Sequence, residues 1–415
     1  MVVPFLNNKA RRYLFRVFTH PFLFLLYAFS HVFPRSKKVW VFGIPDRFAW
    51  NSKYVFLHVA KEHKEEVKAI WISRNRRIVR ELRAQGFPAY FWFSLQGFWY
   101  PLRAKFFIYD ASIETISYWL SGGAKKVLLW HGIPLKKIEQ DVQKGESMRV
   151  RLFTSKGFLG LLFWFFLPWR FLKPDYAIAT SEEFRKIFSS AFRVPEERIS
   201  VVGFPKNDIY FKDMSGAGVG ADLKAIEEMK EFRKQGKRVI LYAPTWRDTA
   251  GRVFLGEESE QEKLNLFLQE RNAVWFSKMH VLAKAAIPQR KRYDALRFVD
   301  SDSDADLLLN HTDVLVTDYS GIFFEFLLLD RPMAFFPYDY EKYVSKDREL
   351  YFDYNEATPG PKAYAPEELF AALEEVLEKD NYQAERRRVR DMTYARPDGG
   401  ASERTYQAIR SLDAS

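Results

Sequence analysis

Hydrophobic and polar positions follow two alternating periods along most of the chain. Short β-branched and aromatic runs such as KKVWVF and VKAIWIS precede longer segments with helical spacing, such as NSKYVFLHVAKEH and RRIVRELRAQG. Apolar runs separated by helices are typical of parallel strands in βαβ units. The pattern therefore predicts an α/β fold whose parallel sheet is covered on both faces by helices.

A second series of strand-like runs begins near residue 200. It comprises ISVVG, KRVILYAP, AVWFSKMH, ALRFVD, DVLVT and MAFFPYD, with helical segments between them. A chain of 415 residues is long for one hydrophobic core, so two doubly wound, Rossmann-like domains are expected. We place an N-terminal segment at 1–36, the first domain at 37–201, the second at 202–395 and a C-terminal helix at 396–415.

The composition narrows the class of protein. A hydrophobic content of 47% and an aromatic content of 17% exclude a disordered chain. The absence of cysteine removes disulfides, thiolate metal sites and cysteine nucleophiles. The net charge of +11 is compatible with binding to nucleic acid, to an anionic membrane or to phosphorylated substrates. The positions of the charges along the chain must distinguish among these partners.

The N-terminal segment carries an apolar run at residues 21–33 between basic flanks. The run is too short to span a bilayer. Basic flanks with aromatic residues favour a segment that lies in the cytoplasmic membrane interface. A signal peptide is the alternative, because Ala28, Phe29 and Ser30 faintly resemble a cleavage site.

A second aromatic stretch, FLGLLFWFFLPWRFL at 158–172, lies inside a region, 149–173, with several cationic residues. A helix buried in the core is one interpretation. Core helices rarely concentrate so many aromatic residues between cationic flanks, so we favour a second contact with an anionic membrane surface. This predicts a peripheral protein on the cytoplasmic face of the cell membrane. The residues predicted to enter the membrane are Phe163, Trp164, Phe165, Phe166 and Trp169.

Residues 314–336 predict a strand, a tight turn, a helix and a second strand. The turn at Asp318, Ser320 and Gly321 presents backbone N–H groups at the helix start, where a phosphate could bind without a cationic side chain. An ordinary helix cap is the alternative. Glu325 on the apolar helix needs a partner, either a structural arginine or the vicinal hydroxyls of a ribose.

Polar residues also follow other predicted strands. His131 comes after VLLW, Thr245 and Arg247 after VILYAP, and Lys278 and His280 after VWFSK. Ligands of open parallel sheets bind beyond the carboxyl ends of the strands, so two facing domains could bring these residues to one cleft. Taken alone, a histidine at the end of a strand is more often structural than catalytic.

Cationic side chains and backbone N–H groups at this cleft could stabilise the charge of a diphosphate, a role that otherwise falls to Mg²⁺. The aspartates of SDSDAD at 301–306 alternate along the chain and favour a helix-capping stretch over an acidic metal triplet. We therefore predict no metal and no cofactor for the reaction.

Six motifs occur in an order and spacing that resemble the CDP-glycerol glycerophosphotransferases of teichoic acid synthesis. They are WHGIPLKK at 130–137, GFPKND at 203–208, APTWR at 243–247, SKMH at 277–280, the block at 317–343, and RELYFDY at 348–354. The resemblance implies a GT-B fold and membrane association. It also implies transfer of glycerol phosphate from CDP-glycerol to a hydroxyl of a polyprenyl-diphosphate-linked saccharide, with release of CMP.

The resemblance also implies residue roles. His131 and His280 would be catalytic, and the donor would be bound by Arg247, Lys278, Thr245, Asp318, Ser320, Gly321, Glu325 and Lys206. The chain departs from the family pattern in having Gly321 for a second serine, Val281 for a proline and Lys206 for an arginine. A lysine cannot make the bidentate phosphate contact of an arginine, so the direct role of Lys206 is open.

A single GT-B unit favours a primase-like enzyme that adds one or a few units. The alternatives are a poly(glycerol or ribitol phosphate) polymerase, a capsule transferase, or a GT-B glycosyltransferase that uses a nucleotide sugar. A basic nucleic-acid-binding or membrane-surface protein would explain the charge but not two histidines and a phosphate turn at strand ends. No nucleic-acid partner is therefore expected.

Overall fold

The structure is a computed structural model. It describes residues 8–44, 46–143, 155, 157–245, 254–279, 293–343 and 349–413, and for 8–16 only the backbone.

Seven parallel strands form the first sheet, in the order β3-β2-β1-β4-β5-β6-β7. The β-branched and aromatic runs of the sequence form these strands, which are largely buried because helices cover both faces. The strands are β1 Ser36–Phe42, β2 Lys68–Ser73, β3 Ala89–Phe91, β4 Ala104–Tyr109, β5 Lys125–Leu128, β6 Tyr176–Ala179 and β7 Ile199–Val201. The accompanying helices are α1 Asn8–Val32, α2 Trp50–Glu62, α3 Arg76–Ala84, α4 Leu95–Arg103, α5 Gly157–Phe166 and α6 Glu182–Phe192.

Five parallel strands form the second sheet, in the order β10-β9-β8-β11-β12. They are β8 Arg238–Tyr242, β9 Ala273–Ser277, β10 Leu296–Phe298, β11 Val314–Thr317 and β12 Met333–Phe335. The helices of this half are α7 Leu223–Lys234, α8 Glu258–Glu270, α9 Ala305–Leu309, α10 Ile322–Phe326, α11 Tyr340–Lys342, α12 Tyr354–Ala357, α13 Pro366–Glu378, α14 Gln383–Thr393 and α15 Ala401–Ser411. The predicted α/β class with two parallel sheets is confirmed.

The last part of the chain returns to the first sheet. The N–H of Ala395 donates to the carbonyl of Thr180 after β6. Asp208 then accepts hydrogen bonds from the N–H groups of Ala401 and Ser402, both at 2.9 Å. These bonds satisfy orphan donors at the start of α15 and attach that helix to the segment that follows β7.

Helix α1 lies on the first domain through one face. Tyr27 stacks on Tyr118 with 4.6 Å between ring centroids, and Arg35 beyond the helix donates to the carbonyls of Ser30 and Leu120 at 2.8 and 2.9 Å. The opposite face exposes apolar side chains at helical spacing, namely Phe18, Phe22, Leu25, Phe29 and Val32. Within the described part of the chain, no helix combines the length and apolarity needed to cross a membrane.

Candidate active site

A cavity of about 520 Å³ lies where the carboxyl ends of the two sheets meet. The first domain contributes the turn after β5 and the start of α2, and the second contributes the turns after β8, β9 and β11. The predicted site residues in its lining are His131, Lys206, Thr245, Lys278, Ser320, Gly321 and Glu325. The strand-end rule thus brings together residues that are far apart in the sequence.

His131 is half-buried between two tryptophan rings. Its ring centroid lies 4.2 Å from that of Trp130 and 5.1 Å from that of Trp50. Both tryptophans have positive φ, 58° for Trp130 and 65° for Trp50, a conformation that non-glycine residues adopt only where the surroundings hold them. The backbone is therefore held in an uncommon conformation where the imidazole enters the cavity.

Asn51 fixes this turn and was not singled out by sequence reasoning. Its amide donates to the carbonyl of Trp130 at 2.8 Å, and its carbonyl oxygen accepts from the N–H of Lys206 at 3.1 Å. Buried side chains that bond to two backbone segments hold both in place. The one available signal was the polar start of the NSKY helix, which is also typical of an ordinary helix start.

Asp318 is buried and joins two strand ends of the second sheet. One of its oxygens accepts from the N–H of Thr245 at 2.8 Å and from the N–H of Tyr319 at 2.6 Å. The sequence left open whether the turn that begins at Asp318 binds a phosphate or is an ordinary helix cap. These bonds show that Asp318 organises the turns after β8 and β11.

Lys278 supplies a positive charge to the cavity from the turn after β9. Its ammonium donates to the carbonyl of Ser301 at 3.0 Å. Burial and, secondly, the nearby guanidinium of Arg47 lower the pKa of Lys278. Arg47 also lines the cavity, pairs with Asp302 at 2.7 Å and was missed in the sequence.

Gly321 lies against the backbone of the other domain. A Cβ added there would come within 2.2 Å of the carbonyl oxygen of Ile133. A side chain would therefore push the turn at Ser320 away from the turn at His131. This close approach gives a physical reason for glycine at a position where the family pattern has serine.

Lys206 lies between two buried carboxylates. Its ammonium is 3.2 Å from Asp306 and 3.0 Å from Glu325. Burial alone would lower the pKa of Lys206, but the two carboxylates outweigh it and raise the pKa. Glu325 therefore has a lysine partner, which was not among the partners considered from the sequence.

The stretch SDSDAD behaves as a capping segment. The carboxylate of Asp304 accepts from the N–H of Asp306 at 3.1 Å at the start of α9. Its other oxygen pairs with Lys53 at 2.7 Å and accepts from the hydroxyl of Tyr54 at 2.8 Å. Lys53 and Tyr54 belong to α2, so this network crosses between the domains.

Two predicted site residues, Arg247 and His280, lie outside the described residues. Their roles remain predictions.

The aromatic stretch divides into exposed and buried residues. Trp164 is 47% exposed on α5, as are Phe158, Leu159 and Leu161 to greater degrees. Phe163, Phe165 and Phe166 are half-buried, and the last two contact the ring of His20 on α1. The prediction that Trp169 enters the membrane is corrected, because this residue is only 9% exposed and packs against Tyr118 and Trp119.

Two Rossmann-like domains with a shared cleft define the architecture of GT-B transferases and related nucleotide-sugar enzymes. The wall teichoic acid polymerase TagF has the same fold, with a TM-score of 0.73, 23% identity and 98% of each chain covered. The predicted GT-B fold is therefore confirmed.

The family model for CDP-glycerol:poly(glycerophosphate) glycerophosphotransferases matches residues 25–411. The chain belongs to this family, as the motifs predicted. It is 30% identical to a teichoic acid glycerol-phosphate transferase of Staphylococcus aureus, over 76% of this chain and 79% of that protein. It is 27% identical to a teichoic acid poly(glycerol phosphate) polymerase of Bacillus spizizenii, over 88% of this chain and 89% of that protein.

Proposed function

We propose that this enzyme transfers glycerol phosphate from CDP-glycerol to a hydroxyl of a polyprenyl-diphosphate-linked saccharide and releases CMP. Membership of the family supports the donor and the type of reaction. The observation that carries the assignment is the position of His131 on one domain, across the cavity from Lys278, Ser320 and Gly321 on the other.

The reaction is an in-line displacement at the β-phosphorus of CDP-glycerol. The acceptor oxygen forms the new P–O bond while the bond between the β-phosphorus and the bridging oxygen breaks, and CMP leaves with that oxygen. His131 takes the proton of the attacking hydroxyl as general base. The aromatic rings of Trp50 and Trp130 hold the imidazole in place.

The second domain holds the donor. Lys278 and the N–H groups at Ser320 and Gly321 meet the diphosphate and stabilise the charge that develops on CMP. Thr245 contacts the phosphates from the neighbouring turn, which Asp318 positions. Arg247 and His280 complete this set in the proposal, on the strength of the motifs that contain them.

Glu325 is proposed to accept hydrogen bonds from the ribose of the donor. Its pairing with Lys206 at 3.0 Å orients the carboxylate inside a buried region. Lys206 is engaged with Glu325 and Asp306, so we assign it to positioning Glu325 rather than to direct phosphate binding.

A competition among donors tests the reaction. The enzyme is incubated with CDP-glycerol, CDP-ribitol or a UDP-sugar and a short lipid-linked saccharide, and the released nucleotide is measured. We expect CMP from CDP-glycerol and no UDP. Release of UDP would establish a glycosyltransferase, and CMP from CDP-ribitol alone would establish a different alditol donor.

The number of units added is a second question, because the relatives include both a transferase and a polymerase. We propose addition of one or a few units, and the mass of the lipid product measures it directly. A long ladder of glycerol phosphate additions at low enzyme concentration would instead establish a polymerase.

We also propose that the enzyme lies on the cytoplasmic face of the membrane through α1 and α5. The outer face of α1 and the exposed residues of α5 form one surface, since Phe24 of α1 stacks on Trp164 of α5 at 5.4 Å. Such an amphipathic surface enters the acyl boundary, and flanking cations such as Arg170 and Lys173 meet anionic headgroups. A contact of this kind would bring the enzyme to a polyprenyl-linked acceptor, whose tail stays in the bilayer.

A further inference from the structure

Two histidines and a glutamate converge at one point away from the cleft. The Nε2 atoms of His58 and His63 lie 2.7 and 2.8 Å from the same oxygen, Oε2, of Glu403. His58 is in α2, His63 directly follows that helix, and Glu403 is in the first turn of α15. One candidate ligand atom from each of these residues lies within 4.8 Å of the others.

We propose that His58, His63 and Glu403 bind a divalent transition metal, with Zn²⁺ as the best match. Two imidazole nitrogens and one carboxylate oxygen are a ligand set that zinc accepts in tetrahedral sites, whereas Mg²⁺ and Ca²⁺ prefer oxygen ligands alone. Ligand atoms around tetrahedral zinc lie about 3.3 Å apart. Small side-chain rotations would therefore bring the three ligand atoms to the spacing that zinc requires.

Neighbouring side chains orient two of the proposed ligands, His63 and Glu403. The Nδ1 of His63 faces a carboxylate oxygen of Glu66 at 3.4 Å, and the ring of His63 stacks on Tyr406 at 3.6 Å. The second oxygen of Glu403 accepts from Gln407 at 2.6 Å. A histidine oriented by a carboxylate, and a carboxylate with its other oxygen occupied, are recurrent features of metal sites.

The charge balance also suits a cation. Three cations lie near the site, and each has a carboxylate partner: Lys61 pairs with Glu62 at 3.6 Å, Lys212 with Asp208 at 3.7 Å and Arg410 with Glu66 at 3.4 Å. A neighbouring cavity of about 450 Å³, lined by all three proposed ligands, gives access from solvent and room for a fourth, water ligand.

Such a metal would have a structural effect. Helix α2 belongs to the first domain and also carries Lys53, which pairs with the second domain. Helix α15 is the last helix in the described part of the chain. A metal bridging the two would fix the C-terminal crossover onto the first domain without touching the reaction site.

Zinc titration of the full chain, free of any histidine tag, tests the proposal. We expect the wild type to bind one equivalent of Zn²⁺ more than His58→Ala/His63→Ala, and to show a rise in Tm of about 3 °C or more at a 100-fold excess over Kd. His311→Ala is the matched control, because this histidine lies outside the cluster, and it should keep the extra equivalent.

Two further measurements remain informative if the double variant does not fold. Co²⁺ added to the wild type should give the intense visible absorption of a tetrahedral site. Glu66→Gln, which leaves the ligands intact, should weaken Zn²⁺ binding about 10-fold. Equal Zn²⁺ stoichiometry in wild type and double variant, or absence of the Co²⁺ spectrum, would show that the cluster is only hydrogen-bonded.

Discussion

The ammonium of Lys53 lies 2.7 Å from Oδ2 of Asp304, and this ion pair joins the two domains beside the cleft. Both side chains are buried, with exposures of 0% and 1%. The ammonium also donates to the carbonyls of Ala217 and Val219 at 2.6 and 3.2 Å. A buried pair with its remaining hydrogen bonds satisfied contributes little by itself, yet removal of one partner leaves an uncompensated charge.

Lys53→Ala should therefore lower the free energy of unfolding by about 3–5 kcal/mol, because Asp304 would remain buried and unpaired. Urea denaturation measures the loss. Lys61→Ala is the matched control, since the pair of Lys61 and Glu62 is exposed, and it should change stability by less than about 1 kcal/mol. Equal effects of the two substitutions would contradict the interdomain role.

Gly321→Ala should separate the turns that carry Ser320 and His131, since the new Cβ would meet the carbonyl of Ile133. We expect kcat/KM for CDP-glycerol to fall about 10-fold or more, as misplacement of reacting groups is costly. Gly218→Ala is the control, because its Cβ would make only an ordinary contact with Leu223 at 3.4 Å. Wild-type kinetics for Gly321→Ala would show that the contact is not needed for turnover.

Asp110 should make stability depend on pH. Burial raises its pKa to about 7, although hydrogen bonds from Ser52 act in the opposite direction. The unfolded carboxyl has a pKa of about 4, so the folded state binds the proton more tightly. The contribution of Asp110 to the free energy of unfolding is fully present below pH 4 and is lost as the pH rises towards 7.

Asp110→Asn mimics the protonated carboxyl and should remove that slope. Between pH 5 and 7 the wild type should lose about 2 kcal/mol relative to the variant. Urea titrations of both proteins across this range measure the difference. Parallel stability curves would mean that Asp110 does not titrate as described.

The membrane proposal is tested on apolar side chains that are mostly exposed to solvent. Phe18, Phe22 and Phe158 are 72%, 73% and 76% exposed. Their joint replacement by serine should weaken binding to anionic vesicles about 10-fold or more and lower turnover of long-tailed acceptor, while sparing a soluble short-tailed acceptor.

Leu223→Ser/Leu266→Ser removes exposed apolar side chains from the second domain and should leave vesicle binding unchanged. Equal losses in both variants, or equal loss on both acceptors, would refute the assigned surface. Phe165 and Phe166 are unsuitable for this test because both rings contact His20.

Periodicity was sufficient to predict both sheets, because strands buried on two faces and helices with one apolar face leave a clear pattern. KKVWVF became β1 and the run at 314–317 became β11. The strand-end rule likewise predicted that His131 and Ser320 share a cleft. Family motifs were needed to give these residues roles.

Other features depended on tertiary contacts that no local pattern encodes. Trp50 has an uncommon backbone conformation with positive φ. The hydrogen bond between Asn51 and Lys206 and the ion pair between Lys206 and Glu325 join segments more than a hundred residues apart. Trp169 was assigned to the membrane because its neighbours are aromatic. Its packing against Tyr118 and Trp119 distinguishes it from the exposed Trp164.

In the proposed reaction His131 acts as general base in the transfer step. Single-turnover release of CMP, with a soluble lipid-linked acceptor and saturating CDP-glycerol, measures this step most directly. His131→Ala should slow it by about 10² or more while leaving calorimetric affinity for CDP-glycerol within about 3-fold of the wild type. An unchanged rate, or a loss of donor affinity that accounts for the whole effect, would contradict this role of His131.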